Sequence, residues 1–125
     1  MKNVVATKKA PEAIGPYSQA IEYNGVLYVS GQIPVNPESG AVEAETIEGQ
    51  AEQSLKNVGA ILKESGLTYE NVLKTTCFIA DMGDFAKFNE VYAKYFKEDA
   101  PARSCVAVKD LPKGVLCEVE VVAGK

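Results

Sequence analysis

Histidine is absent from the chain. Without an imidazole, a subunit cannot build a Ser-His-Asp or Cys-His nucleophile pair, a His-ligated metal centre or an imidazole acid-base site. Proton transfer is left to Glu, Asp, Tyr, Cys, Lys or water. Cysteine is scarce: Cys77, Cys105 and Cys117 are odd in number, lie in apolar runs and include no C-x-x-C pair. That pattern indicates neither a disulfide framework nor a zinc knuckle, and it fits a reducing cytosol. No stretch approaches the ~20 apolar residues of a membrane span. Met1 to Thr7 holds no apolar segment of signal length. A cytoplasmic protein with no membrane partner is expected. A basic stripe is also missing; the net charge is −4, whereas non-specific nucleic-acid binding needs lysines and arginines to neutralise phosphates. No nucleic-acid partner is expected.

Arginine is the scarcest charged side chain. Among thirteen basic residues, the single arginine is Arg103, in Pro101-Ala102-Arg103-Ser104-Cys105. Glu118 follows in the apolar run Val115 to Val122. A guanidinium fork holds a carboxylate through two parallel hydrogen bonds, and lysine does not replace it. One arginine beside a strand-borne glutamate points to a small site for a carboxylate-bearing molecule.

With 125 residues and 46% hydrophobic composition, the chain reads as one domain over residues 1–125, burying roughly two thirds of its unfolded surface. Asn3 to Thr7 reads as a short strand and Ala10 to Pro16 as a loop. Strands at Tyr17 to Tyr23 and Val26 to Ser30 flank Asn24-Gly25, the dipeptide suited to a two-residue hairpin. Gly31 to Pro34 leaves the sheet, and Asn36 to Gly40 is a surface turn. Ile47, Ala51, Leu55, Val58 and Leu62 recur at helical spacing within Thr46 to Ser65, with Gly66 suited to the C′ position. Val72 to Ala80 is a strand. Asp81 and Asp84 offer N-cap acceptors for a second helix to about Phe96, whose Phe85, Phe88, Tyr92 and Tyr95 read as a core stripe rather than a cofactor box. Strands at Arg103 to Val108 and Val115 to Ala123 complete an α/β (α+β) pattern, a mixed sheet with two helices on one face. The other face then needs a partner, which oligomerisation supplies.

Alternation on the last strand puts Glu118 and Glu120 on one face and Cys117, Val119 and Val121 on the other. Glu118 is either a solvated edge residue or a site carboxylate; strand interiors disfavour glutamate, and its partner strand is expected to carry Arg103. Arg103 is either a surface ion pair or an anchor. Cys105, sharing Arg103's face, is either a small buried hydrophobe or a reactive thiol. Tyr17 is either structural, with a wet hydroxyl, or part of the site.

Ala13 to Ala20, Ser30 to Pro34, Lys74 to Phe78, Pro101 to Val106 and Glu118 to Glu120 together resemble the RidA family, also called the YjgF or reactive-intermediate deaminase family. The resemblance implies a chorismate-mutase-like fold and a homotrimer with three clefts between subunits. It implies hydrolysis of 2-imino acids such as 2-iminobutanoate and 2-iminopropanoate, released with their enamine tautomers by pyridoxal-phosphate-dependent dehydratases, to 2-oxo acids and ammonia. No cofactor and no metal are implied. The matching positions are Tyr17, Ser30, Gly31, Asn89, Arg103, Cys105 and Glu118. Ala100 stands where many members carry an aromatic residue, which bears on substrate size. Arg103 and the Gly31 N–H would hold the carboxylate, Glu118 would move the proton, and the Cys105 carbonyl would help to place the water. The alternatives are a non-catalytic trimer that binds a 2-oxo acid or amino acid, and a structural or chaperone-like trimer. RNA cleavage, associated with some members, is unattractive for an acidic chain without histidine.

Overall fold

The computed structural model describes residues 1–125. Its elements are β1 (Asn3–Val5), β2 (Ala20–Tyr23), β3 (Val26–Gln32), α1 (Ile47–Glu64), β4 (Val72–Ile79), α2 (Phe85–Tyr95), β5 (Ala102–Ala107) and β6 (Cys117–Gly124). The six strands form one mixed sheet in the order β1-β2-β3-β6-β4-β5. Only β4 and β5 run parallel, because α2 carries the chain back between them as a crossover. The architecture is mixed α+β, as the sequence pattern predicts.

Local chemistry sets the element ends. Asn24 and Gly25 both adopt positive φ, 52° and 77°, and Tyr23 pairs with Val26 across them, so the hairpin forms as expected. Thr46 caps α1 by accepting from the Gly49 N–H. At the other end Gly66 (φ 74°) donates to Lys63 O, and Leu67 donates to Leu62 O, a Schellman closure. Asp81 caps a 3₁₀ turn, accepting from Gly83 N at 2.8 Å. Asp84 occupies the N-cap of α2 but makes no side-chain cap bond, so only one of the two expected aspartate caps engages.

Both helices lie on one face. Leu27, Val29, Val72, Cys77, Ile79, Cys117, Val119, Val121 and Ala123 of the sheet share one buried cluster with Ala51, Leu55, Val58, Ile61 and Leu62 of α1 and Phe88, Val91 and Tyr92 of α2. Each large side chain there contributes roughly 1.5–3 kcal/mol by leaving water. The opposite face carries an uncovered row in register, Val4, Ile21, Tyr28 and Val122, and Tyr28 is 50% exposed.

Three further expectations change. The segment from Tyr17 to Gln19 is loop rather than strand, because buried Gln19 turns its amide on the chain before it. It donates to Thr7 O, Ala10 O and Pro11 O and accepts from Thr7 N. Gly31 stays within β3 rather than leaving the sheet, although pairing to β6 slips between Val29 and Gln32. Finally, β6 is flanked by β3 and β4. The strand of Arg103 is therefore not the partner of the strand of Glu118.

Candidate active site

Arg103 stands on the edge strand β5 directly beside Thr75 and shares its face, the one the helices cover. Its Nη1 donates to Asn89 Oδ1 at 2.7 Å. The guanidinium carbon lies 4.7 Å from the centre of the Tyr92 ring and 5.4 Å from that of Phe85. No carboxylate pairs with it; the one salt bridge in the chain joins Lys125 to Glu22. Cys105, two residues on and half-buried, has its thiol pushed up by burial, with Arg103 pulling weakly the other way. At neutral pH it is a thiol and not a thiolate, which disfavours nucleophilic chemistry.

Glu118 occupies the other face, in register with Phe78. Its carboxyl is raised above the ordinary range, first by burial and then by the charge of Glu120. It packs directly on Gly31, where a Cβ would overlap the Glu118 Oε2. The pairing slip at Ser30 and Gly31 is the kind of irregularity that frees backbone groups from a ladder. Ser30 Oγ donates to Ser18 O at 2.6 Å, tying the loop of Tyr17 to β3. Tyr17 and Ser30 then line an open hollow of about 550 Å³ with Ile21 and Tyr28.

The predicted residues thus fall into two groups. Arg103, Asn89 and Cys105 belong to the helix-covered face at the β5 edge; Glu118, Gly31, Ser30 and Tyr17 belong to the uncovered side. Because β4 separates β5 from β6 and the register differs by three residues, the Arg103 and Glu118 backbones stand ~14 Å apart and their side chains point to opposite faces. Glu120, and not Arg103, is the charge that acts on Glu118. A single chain does not bring the pair together. Phe85 and Tyr92 were expected to be core alone, yet they also hold the guanidinium. The signal was available in the spacing, since Phe85, Asn89 and Tyr92 fall four and three residues apart on one helix face.

The site is therefore divided between a cationic fork with no carboxylate partner in the chain and a carboxyl raised above its ordinary range. No group of histidine, cysteine or carboxylate side chains is arranged to hold a metal, and no helix is long and apolar enough to cross a membrane. Comparison with known proteins gives this arrangement a family. AldR of Lactococcus lactis, a candidate regulator, is 52% identical over 96% of this chain and 95% of its own. Human 2-iminobutanoate/2-iminopropanoate deaminase is 47% identical over 98% of this chain and 90% of its own. The structure of E. coli TdcF with bound serine matches with a TM-score of 0.94 at 44% identity, covering 98% of each chain. The family model described as endoribonuclease L-PSP matches residues 7–125, and the chain belongs to that family, the RidA or YjgF family.

Proposed function

We propose that this chain is a cytoplasmic 2-iminobutanoate/2-iminopropanoate deaminase that works as a homotrimer, without metal or cofactor, on imines released by pyridoxal-phosphate-dependent dehydratases. Each cleft takes Arg103, Asn89 and Cys105 from one subunit and Glu118, Gly31, Ser30 and Tyr17 from the next. The observation that carries the reading is the Arg103 guanidinium, fixed by Asn89 and two rings yet facing no carboxylate of its own. A fork left in that state is suited to a small carboxylate ligand. The separation of Arg103 from Glu118 supports a shared cleft, and the uncovered row from Val4 to Val122 supports burial against other copies. Serine, bound by E. coli TdcF, also bears a carboxylate.

In the cleft, Arg103 holds the substrate carboxylate through two hydrogen bonds and the Gly31 N–H adds a third. The imine carbon is thereby fixed against a water. Glu118 takes a proton from the water as its oxygen bonds to carbon and passes it to the imine nitrogen, giving a carbinolamine. It then takes the hydroxyl proton and delivers it to the amino nitrogen, so that the C=O bond forms as the C–N bond breaks and ammonia and the 2-oxo acid are released. A carboxyl raised above its ordinary range suits both halves of that transfer. The Cys105 carbonyl helps to hold the water, and Tyr17 closes the opening. A threonine or serine dehydratase coupled to this protein tests the reading, with semicarbazide present to trap the imine. Faster 2-oxo acid formation and less semicarbazone are expected. No gain over spontaneous hydrolysis would leave the binding-trimer reading.

Two substitutions separate the roles further. Gly31→Ala forces the flexible end of Glu118 to swing away. The fold should tolerate this, with melting little changed, while kcat/KM falls on the order of 10-fold or more because the carboxyl is misplaced. Cys105→Ala should retain activity within about threefold, since the protonated thiol has no chemical step to perform; steady-state kinetics and gel filtration check both.

A further inference from the structure

We infer that Tyr92 and Phe85, with Thr75 behind Tyr92, form a clamp that sets the plane of the Arg103 fork without using up its donors, an inference that rests on Arg103 anchoring the substrate carboxylate. A guanidinium carries five N–H donors, and in this chain one hydrogen bond, to Asn89, is made by Arg103. A carboxylate partner would fix the side chain equally well, but it would cancel the charge and fill the fork that a ligand must enter. Two aromatic faces at 4.7 and 5.4 Å stabilise the cation by their quadrupoles and accept none of its in-plane N–H bonds. The charge and the rest of the fork remain available to an incoming carboxylate.

The clamp works only if the rings are themselves immobile. Tyr92 is 7% exposed, and its hydroxyl lies 2.8 Å from Thr75 Oγ1. Thr75 is fully buried and is the residue directly beside Arg103 across the β4–β5 pairing. The ring is thus pinned to the same strand position that supports the arginine it faces. Phe96 and Phe88 pack on Tyr92 with centroids at 4.6 and 6.0 Å, which blocks rotation away from the guanidinium. Tyr92, Phe85 and Thr75 are positioning residues; they act on the carboxylate through Arg103.

The test measures the dissociation constant of 2-oxobutanoate by calorimetry, together with KM and kcat for the coupled reaction. The variants are Tyr92→Leu, Tyr92→Phe, Phe85→Leu, Thr75→Val and Thr75→Ser, with Arg103→Lys as reference. Tyr92→Leu should weaken 2-oxobutanoate binding roughly 3- to 30-fold, with the change falling on KM and kcat moving less than about twofold. Thr75→Val and Tyr92→Phe should each give a smaller rise, the double variant no more than either single, and Thr75→Ser should restore binding. A purely structural role would instead lower the melting temperature of folded variants and leave the dissociation constant unchanged, which overturns the clamp. If Arg103→Lys loses 2-oxobutanoate while the aromatic and threonine variants bind it normally, the clamp alone falls. If Arg103→Lys binds it as the parent does, the anchor reading falls and takes the clamp with it.

Discussion

Replacing Arg103 by lysine should lower kcat/KM by about 100- to 1,000-fold with the fold intact. The charge survives, but three features of the guanidinium do not. The planar fork that meets a carboxylate with two parallel N–H groups is lost; each charge-assisted hydrogen bond is worth about 1.5–3 kcal/mol, and an ammonium recovers only part of that. The hydrogen bond to Asn89 Oδ1 loses its geometry. The flat cation that lies against Tyr92 and Phe85 becomes a more strongly hydrated point charge. Little stability depends on the side chain, since Arg103 pairs with no carboxylate and sits on an edge strand. Steady-state kinetics with circular dichroism and thermal melting check the expectation. Near-parental activity would remove Arg103 from substrate binding.

Glu118→Gln should cut kcat by about 10² to 10⁴, the usual worth of one general acid-base group, while 2-oxobutanoate binds nearly as before. Stability should change in the opposite sense. Burial and Glu120 raise the Glu118 carboxyl above its ordinary value in the fold. The favourable contribution of the protonated form is then complete below the unfolded value and is lost as pH rises through the folded one. Above its folded value the parent chain carries an ionised carboxylate at a cost, and glutamine does not. The variant should melt no lower than the parent at pH 7, and any advantage should shrink on acidification. The acid limb of the kcat/KM profile should lie above the ordinary carboxylate range in the parent, and the residual activity of the variant should lack it. Melting curves and rate profiles between about pH 4 and 8 decide both points.

Much of the fold is readable in short stretches because the responsible forces are local. Asn24-Gly25 dictates its hairpin by backbone sterics, and Thr46 and Gly66 mark the ends of α1. The alternation of Cys117, Val119 and Val121 against Glu118 and Glu120 gives the correct faces of β6. Strand order is different in kind. The insertion of β6 between β3 and β4 comes from pairings across the length of the chain, and no local pattern encodes them. Expecting β5 and β6 to be partners placed Arg103 and Glu118 side by side, whereas β4 sets them apart on opposite faces. The strand predicted at Tyr17 is instead loop, because its conformation is imposed by the buried Gln19 amide, a tertiary contact that overrides strand propensity. The division of the proposed site residues into two groups needed the sheet, and the place of Phe85 and Tyr92 against Arg103 needed the packing of α2.

That division makes subunit complementation the most direct test of the shared cleft. Arg103→Lys and Glu118→Gln subunits, each close to inactive alone, are unfolded together in equal amounts and refolded, and hybrid assemblies are identified by distinguishable tags. If each cleft takes Arg103 from one subunit and Glu118 from its neighbour, every hybrid trimer contains one cleft with both residues intact, and random mixing restores about one quarter of the parent activity. If the mixture, with hybrids demonstrated, stays as inactive as its two components, the shared cleft is wrong.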